Sequence, residues 1–312
     1  MKNRFLAIFA CSFLLVGCSS TSEPENFLLM PSGAPTLALY EEVALNNEVI
    51  VTTNTNEVKD NFVANNYKYL IFDSINGITF QNQNKSNYEF VSLLTGGNFH
   101  LIGINKTLDD VPTNDDYIVG FGNKNLIPNK VYTKLYQDAP MDNLFASVTD
   151  LSSYLKSIDA EGKVNNQQID WIFIAQPALF SLRSSNSDFD NLVKNGVDIN
   201  IKDKFKELYN VDYIPQAGLF VNKTYKENHQ DEVAAFKNKV NQMLADALNN
   251  PTKVKETMHS YSEDLKTQAA RYGFNENIMF NLQNNGANQF GIVDPAVNFT
   301  IDDINSFLNI LK

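Results

Sequence analysis

The stretch FLLMPSGAPTLALYEEVALNNEVIV, Phe27 to Val51, sets the fold of the chain. Phe27-Leu28-Leu29-Met30 is an apolar run of strand length, and Thr36 to Leu45 puts Leu37, Tyr40 and Ala44 at helical spacing. Val49-Ile50-Val51 is a second apolar run. A strand, a Pro-Ser-Gly-Ala-Pro turn, a helix and another strand make a unit whose parallel strands need helices on both faces. The turn joins the carboxyl end of a strand to the amino end of a helix, the place where α/β proteins bind ligands.

The same grammar continues outward. Asn56 to Asn65 reads as a helix, Tyr67 to Phe72 as a third strand and Tyr88 to Leu94 as a fourth. After the polar stretch TLDDVPTNDD it restarts, with a strand at Tyr117 to Gly122 and helices near Asn129 to Tyr136 and over Phe145 to Ile158. Trp171 to Ala175 is a fully apolar strand, with Phe180-Ser181-Leu182 as its continuation. DYIPQAGLFVN, Asp212 to Asn222, reads as an extended return to the first lobe. Beyond it, Val233, Phe236, Val240, Met243, Leu244 and Ala247 form one helical stripe. The Asp302-Asp303 pair suits the start of a last helix. The pattern predicts an α/β protein of two lobes, one built from 27–111 and 216–312 and the other from 112–215. Two extended crossings would join them, near Asp110 to Asp115 and at Pro215 to Gly218.

At 312 residues the chain can bury a large core. A net charge of −11 argues against nucleic acid or an anionic membrane surface as the main partner, and three arginines, Arg4, Arg183 and Arg271, cannot build a multi-arginine anion clamp. Lys2 and Arg4 precede the apolar run Phe5 to Val16, which is too short to span a bilayer, so 1–17 reads as a signal peptide. Leu15-Val16-Gly17-Cys18 resembles a bacterial lipobox, which makes Cys18 the lipidated first residue of the mature chain and 18–26 a flexible tether. The alternative is an ordinary secretory signal with an incidental cysteine. Cys11 would be removed with the signal, which leaves no disulfide.

Small and amide-bearing residues recur at the presumed strand ends. Ser32, Gly33 and Thr36 lie in and just after the first turn, Asp73, Ser74 and Asn76 follow the third strand, and Thr95 and Asn98 the fourth. Asn123 and Gln176 hold the matching places in the second lobe. Gly33 would admit a ligand close to backbone, Thr36, Asn98 and Asn123 would orient it, and Asp73 would either select a ligand donor or cap the next helix. Trp171 and Tyr40 read as core. The scattered His100, His229 and His259 form no metal-ligand pattern, no cofactor is implied, and no nucleophile elbow, phosphate loop or dinucleotide fingerprint appears, so the chain reads as a non-enzyme.

PSGAPTLAL, LLTGGNFHLIG, VGFGNKNLIPNKVY, IDWIFIAQPAL, IPQAGLFVN and LNNP occur in that order across nearly the whole mature chain. On these marks the sequence resembles the substrate-binding lipoproteins of bacterial ABC importers, in the branch of nitrate, sulfonate and thiamine-pyrimidine binders. The resemblance implies a type II periplasmic-binding-protein fold whose lobes close on one small solute. It further implies a monomer held by lipid on the extracytoplasmic face of the cell membrane, delivering to an ABC permease and its ATPase. Asp73-Ser74 stands where the family often has an apolar pair, and Gln176-Pro177 where it commonly has Glu-Pro. The other readings are a surface lipoprotein whose partner is a protein, such as an adhesin or sensor subunit, and a pyrimidine-synthase-like enzyme.

Overall fold

A computed structural model of the protein describes residues 23–124, 126–271 and 275–312. The proposed signal peptide and Cys18 lie outside the described residues. The chain opens with β1 (Asn26–Pro31), the short α1 (Ala34–Leu37) and α2 (Tyr40–Leu45), and β2 (Val49–Thr52). There follow α3 (Thr55–Ala64), β3 (Tyr67–Asp73), α4 (Ser74–Asn82) and β4 (Tyr88–Leu93). The next strands are β5 (Phe99–Gly103) and β6 (Ile118–Phe121), then α5 (Ile127–Leu135), β7 (Asn143–Phe145) and α6 (Val148–Leu155). A small hairpin, β8 (Lys163–Val164) and β9 (Gln167–Gln168), precedes β10 (Trp171–Ala175), α7 (Ala178–Ser185), α8 (Ser187–Asn195), β11 (Val197–Asn200) and α9 (Ile201–Tyr209). The chain ends with β12 (Ala217–Asn222) and the helices α10 (Lys223–Asn228), α11 (Gln230–Asn249), α12 (Pro251–His259), α13 (Glu263–Arg271), α14 (Glu276–Gln283) and α15 (Ile301–Ile310).

The strands form two five-stranded sheets, ordered β2-β1-β3-β12-β4 and β11-β5-β10-β6-β7. In the first, β12 runs antiparallel to β3 and to β4 while β1 pairs in parallel with β2 and β3. In the second, β5 runs antiparallel to β10 and β11, and β6 pairs in parallel with β10 and β7. The two opposed strands are those that arrive from the other sheet. They begin where their neighbours end: Ala217 pairs with Asp73, and Phe99 with Ala175. Strand carboxyl ends from both sheets therefore meet at one seam.

The first change of sheet falls between Leu93 and Phe99, earlier than the stretch near Asp110 to Asp115. That polar stretch is an exposed surface turn closed on itself. Asp110 Oδ2 accepts from Thr107 N–H and Oγ1–H at 2.7 and 2.8 Å, and Asp116 Oδ2 likewise from Thr113 at 2.8 and 2.9 Å. Its polarity marks solvent and not a hinge. The second change of sheet lies between α9 and β12, at the IPQAG segment. Phe180-Ser181-Leu182 does not prolong β10. After Pro177 the chain turns into α7, which buries Leu179 and Leu182 at helical spacing.

Each sheet is covered by the helices its sequence pattern calls for. The α11 stripe is buried on the face of the first sheet carrying Tyr69, Ile71 and Leu219, and the tilted ring of Phe236 packs with its centroid 4.3 Å from that of Tyr69. Phe62 of α3 packs on the other face, 4.8 Å from Tyr88 and 5.0 Å from Phe220. Trp171 and Tyr40 are fully buried, as core residues. Each such side chain contributes about 1.5–3 kcal/mol by leaving water. Thr300 and Asp303 cap α15 reciprocally, as the acidic pair suggested. No helix among the described residues is long and apolar enough to cross a membrane.

Candidate functional site

A cavity of about 700 Å³ opens at the seam and is lined from both sheets, a size suited to one small molecule. From the first sheet come the β1–α1 turn, the residues after β2 and the β3–α4 junction. From the second come the β6–α5 turn, the start of α6 and the β10–α7 junction. Phe72, Phe80, Phe99 and Phe121 form apolar wall, and hydroxyls such as Thr53, Thr149, Ser153 and Ser181 alternate with them.

Of the ten residues singled out from the sequence, eight line this cavity: Ser32, Gly33, Asp73, Asn76, Thr95, Asn98, Asn123 and Gln176. Thr36 and Ser74 do not; they are 2% and 0% exposed, and neither hydroxyl has a hydrogen-bond partner. The Cβ of Ser74 packs beside Gly218 of β12, which turns this residue away from the cleft. Gly33 has φ of 100°, and a Cβ built on it would meet no atom within 4 Å, so its backbone faces open space. Asn123 is exposed, and its carbonyl accepts from Leu126 N–H to form the turn into α5.

The amides at the floor bind one another. Asn98 Nδ2 donates to the Gln176 carbonyl at 2.7 Å, and its Oδ1 accepts from Gln216 Nε2 at 2.7 Å. Gln216 Oε1 accepts from Gly97 N–H at 2.9 Å. Gln176 Nε2 donates to Gln289 at 3.1 Å, while its Oε1 accepts from Phe180 N–H at 3.0 Å. Thr95 Oγ1 accepts from Ala217 N–H at 3.1 Å. Both crossings and the C-terminal segment are thereby knotted together, and such a network holds a buried seam in one arrangement. Gln216 was not singled out from the sequence, although it stands beside Pro215 in a segment already marked as a crossing. The phenylalanine walls were also missed; Phe72 and Phe121 could have been found as the residues flanking Asp73 and Gly122 at strand ends.

Asp73 is a helix cap at the cavity wall. Its Oδ1 accepts from Asn76 N–H at 2.8 Å, capping α4. The residue is half-buried at the cavity wall, and the desolvation of its carboxyl pushes the pKa up to about 6 against the opposing pull of N–H groups of Asn76 and Ile127 and the charge of Lys130. Ile127 and Lys130 belong to α5, on the other side of the cleft. Among the described residues, the charged ones at the wall besides Asp73 are Lys59 and Lys156, both exposed.

No family model matches the chain, and no curated protein matches it in sequence. Solved structures do match in shape. An ABC transporter protein from Parabacteroides distasonis superposes with a TM-score of 0.61 at 11% identity, over 93% of this chain and 92% of that one. The chain has the periplasmic-binding-protein fold. The periplasmic aliphatic sulphonate binding protein SsuA from Escherichia coli shares it at a TM-score of 0.57 and 10% identity, over 92% of this chain and 86% of its own. The alkanesulfonate-binding protein SsuA from Xanthomonas axonopodis pv. citri, solved with MOPS, gives 0.55 and 10% over 92% and 91%. In this chain each five-stranded sheet has one antiparallel strand, and the cavity opens at the strand ends.

Proposed function

We propose that this protein is the substrate-binding subunit of an ABC importer. It is anchored by lipid on Cys18 to the extracytoplasmic face of the membrane, takes one small organic solute between its lobes and presents it to a permease. The observation that carries this reading is the cavity of about 700 Å³ lined by strand ends of both sheets over a hydrogen-bonded seam. A solute touching both walls favours the closed arrangement, and a permease can read that arrangement. The neighbours described as transporter and sulphonate-binding proteins support the role. Thiamine-related pyrimidines, sulfonates and nitrate are the solute classes that the sequence resemblance brings forward.

Thermal unfolding of the purified protein against a panel of such solutes tests the proposal. A solute at roughly a hundred times its dissociation constant adds about 2.7 kcal/mol to stability, enough to move the midpoint by several degrees. A selective rise supports capture. A panel that moves nothing, on protein shown by mass spectrometry to carry no retained small molecule, favours a protein partner instead.

A further inference from the structure

The following rests on the solute-capture reading and narrows it. Helix amino ends that open on a cleft normally offer N–H groups to an anion. Here the protein's own side chains take one or two of those groups at each of four helices. Asn54 Oδ1 accepts from Asn56 and Glu57 N–H at the start of α3, at 3.1 and 3.4 Å. Ser147 Oγ accepts from Asp150 N–H at 3.1 Å on α6, and Gln176 Oε1 from Phe180 N–H at 3.0 Å on α7. Asp73 accepts from Asn76 N–H on α4. The four-residue α1 starts with proline in its first turn, and Thr36 N–H donates back to Gly33.

Neither α1 nor α5 has a side-chain cap, and α5 is the longer of the two. At the start of α5, Ile127 N–H lies near enough to the Asp73 carboxyl of the opposite sheet to pull on its charge, and both residues line the cavity. An anion reaching that helix end would have to displace a carboxylate or sit against it in a desolvated floor. Among the described residues no arginine side chain lines the cavity, and Lys59 and Lys156 stand exposed, where water screens them.

From this arrangement we infer that the cleft selects a solute bearing a donor nitrogen, an ammonium, amidinium or amino-heterocycle group directed at Asp73, and excludes sulfonates and nitrate. The four phenylalanines suit a flat apolar body behind that nitrogen. Asp73 is then the specificity-determining residue, joining the solute to both walls at once.

Isothermal titration of the full-length protein and of Asp73→Asn with 4-aminopyrimidine, pyrimidine, ethanesulfonate and nitrate tests this, with a small-metabolite extract as a further sample. Asn keeps a capping oxygen for α4, so the variant retains its fold, which matching circular dichroism verifies. The parent should bind the amino compound at least tenfold more tightly than pyrimidine, the variant should lose that preference, and neither anion should bind. If the pure probes are all silent, a compound retained from the extract is identified by mass spectrometry. A basic or amino-bearing compound that the variant retains at least tenfold less supports the inference. Binding of an anion to the parent, a neutral retained compound, or an amino preference that survives in Asp73→Asn overturns it while solute capture stands. If neither the probes nor anything in the extract binds, solute capture itself falls, and this inference with it.

Discussion

Replacing Asp73 by Asn should make the protein more stable at pH 7 and far less so at pH 4. The carboxyl is raised from an ordinary 3.8 to about 6 in the folded protein because burial disfavours its charge. Well below pH 3.8 the group is protonated in both folded and unfolded chains and contributes no difference. As pH rises through that window the unfolded chain releases the proton first, so the folded state loses ground, and the full penalty is present above pH 6. The displacement corresponds to at most about 3 kcal/mol, and water reaching this half-buried residue reduces the effect to about 1–3 kcal/mol. Asn keeps the cap on α4, so the substitution isolates the charge. Urea unfolding of parent and variant at pH 4, 5, 6, 7 and 8 measures the difference directly. Two curves separated by a constant amount across that range, or a variant less stable at pH 7, would refute the reasoning. The expected pattern marks Asp73 as a carboxylate kept at a stability penalty, which is how functional groups differ from structural ones.

Gln216→Ala leaves Gly97 N–H and Asn98 Oδ1 without their seam partner and should lower stability by about 1–3 kcal/mol, read as a drop in the urea midpoint. Gly33→Val forces a branched side chain into φ of 100° at a strain of about 1–3 kcal/mol and projects it into the cavity, so both the melting midpoint and solute affinity should fall. His229 is raised above its ordinary pKa chiefly by its hydrogen bond to Glu232, with a further one to Glu23. That contribution is complete below pH 6.5 and lost as pH rises through the raised value, so amide exchange of the segment around Glu23 should quicken above neutrality relative to a His229-independent reference segment. Cys18→Ser should move the protein from the membrane fraction to the soluble one; a variant that still sediments with membrane would count against lipid anchoring.

Several strands were legible because runs such as Leu28-Leu29-Met30 and Trp171 to Ala175 are buried on both faces and carry no polar residue to confuse the period. The first crossing was not, because Thr95-Gly96-Gly97-Asn98 looks like any loop at a strand end, while the Asp-rich stretch after it has the composition of a linker. Position in the cleft followed from the rule that strand ends meet helix starts, which is how Asp73 and Gly33 could be picked out. What the amides do there was invisible: Asn98 and Gln216 are 118 residues apart, and only the fold shows that they satisfy each other. The helical turn at Pro177 was hidden for a related reason, since Phe180-Ser181-Leu182 is too short to show whether its period is two or 3.6.

The placement of β12 between β3 and β4 also governs the order in which the molecule can be assembled. Within the first sheet β4 pairs with β12 alone, and β12 follows every strand of the second sheet in the chain. A chain emerging amino end first therefore carries β4 as an unpaired edge until the whole of the second sheet has been delivered. The second sheet, by contrast, is contiguous in sequence and can close on itself meanwhile. Folding of the first lobe then waits on the second, and a chain cut short before Ala217 would keep a docking edge open for other extended chains.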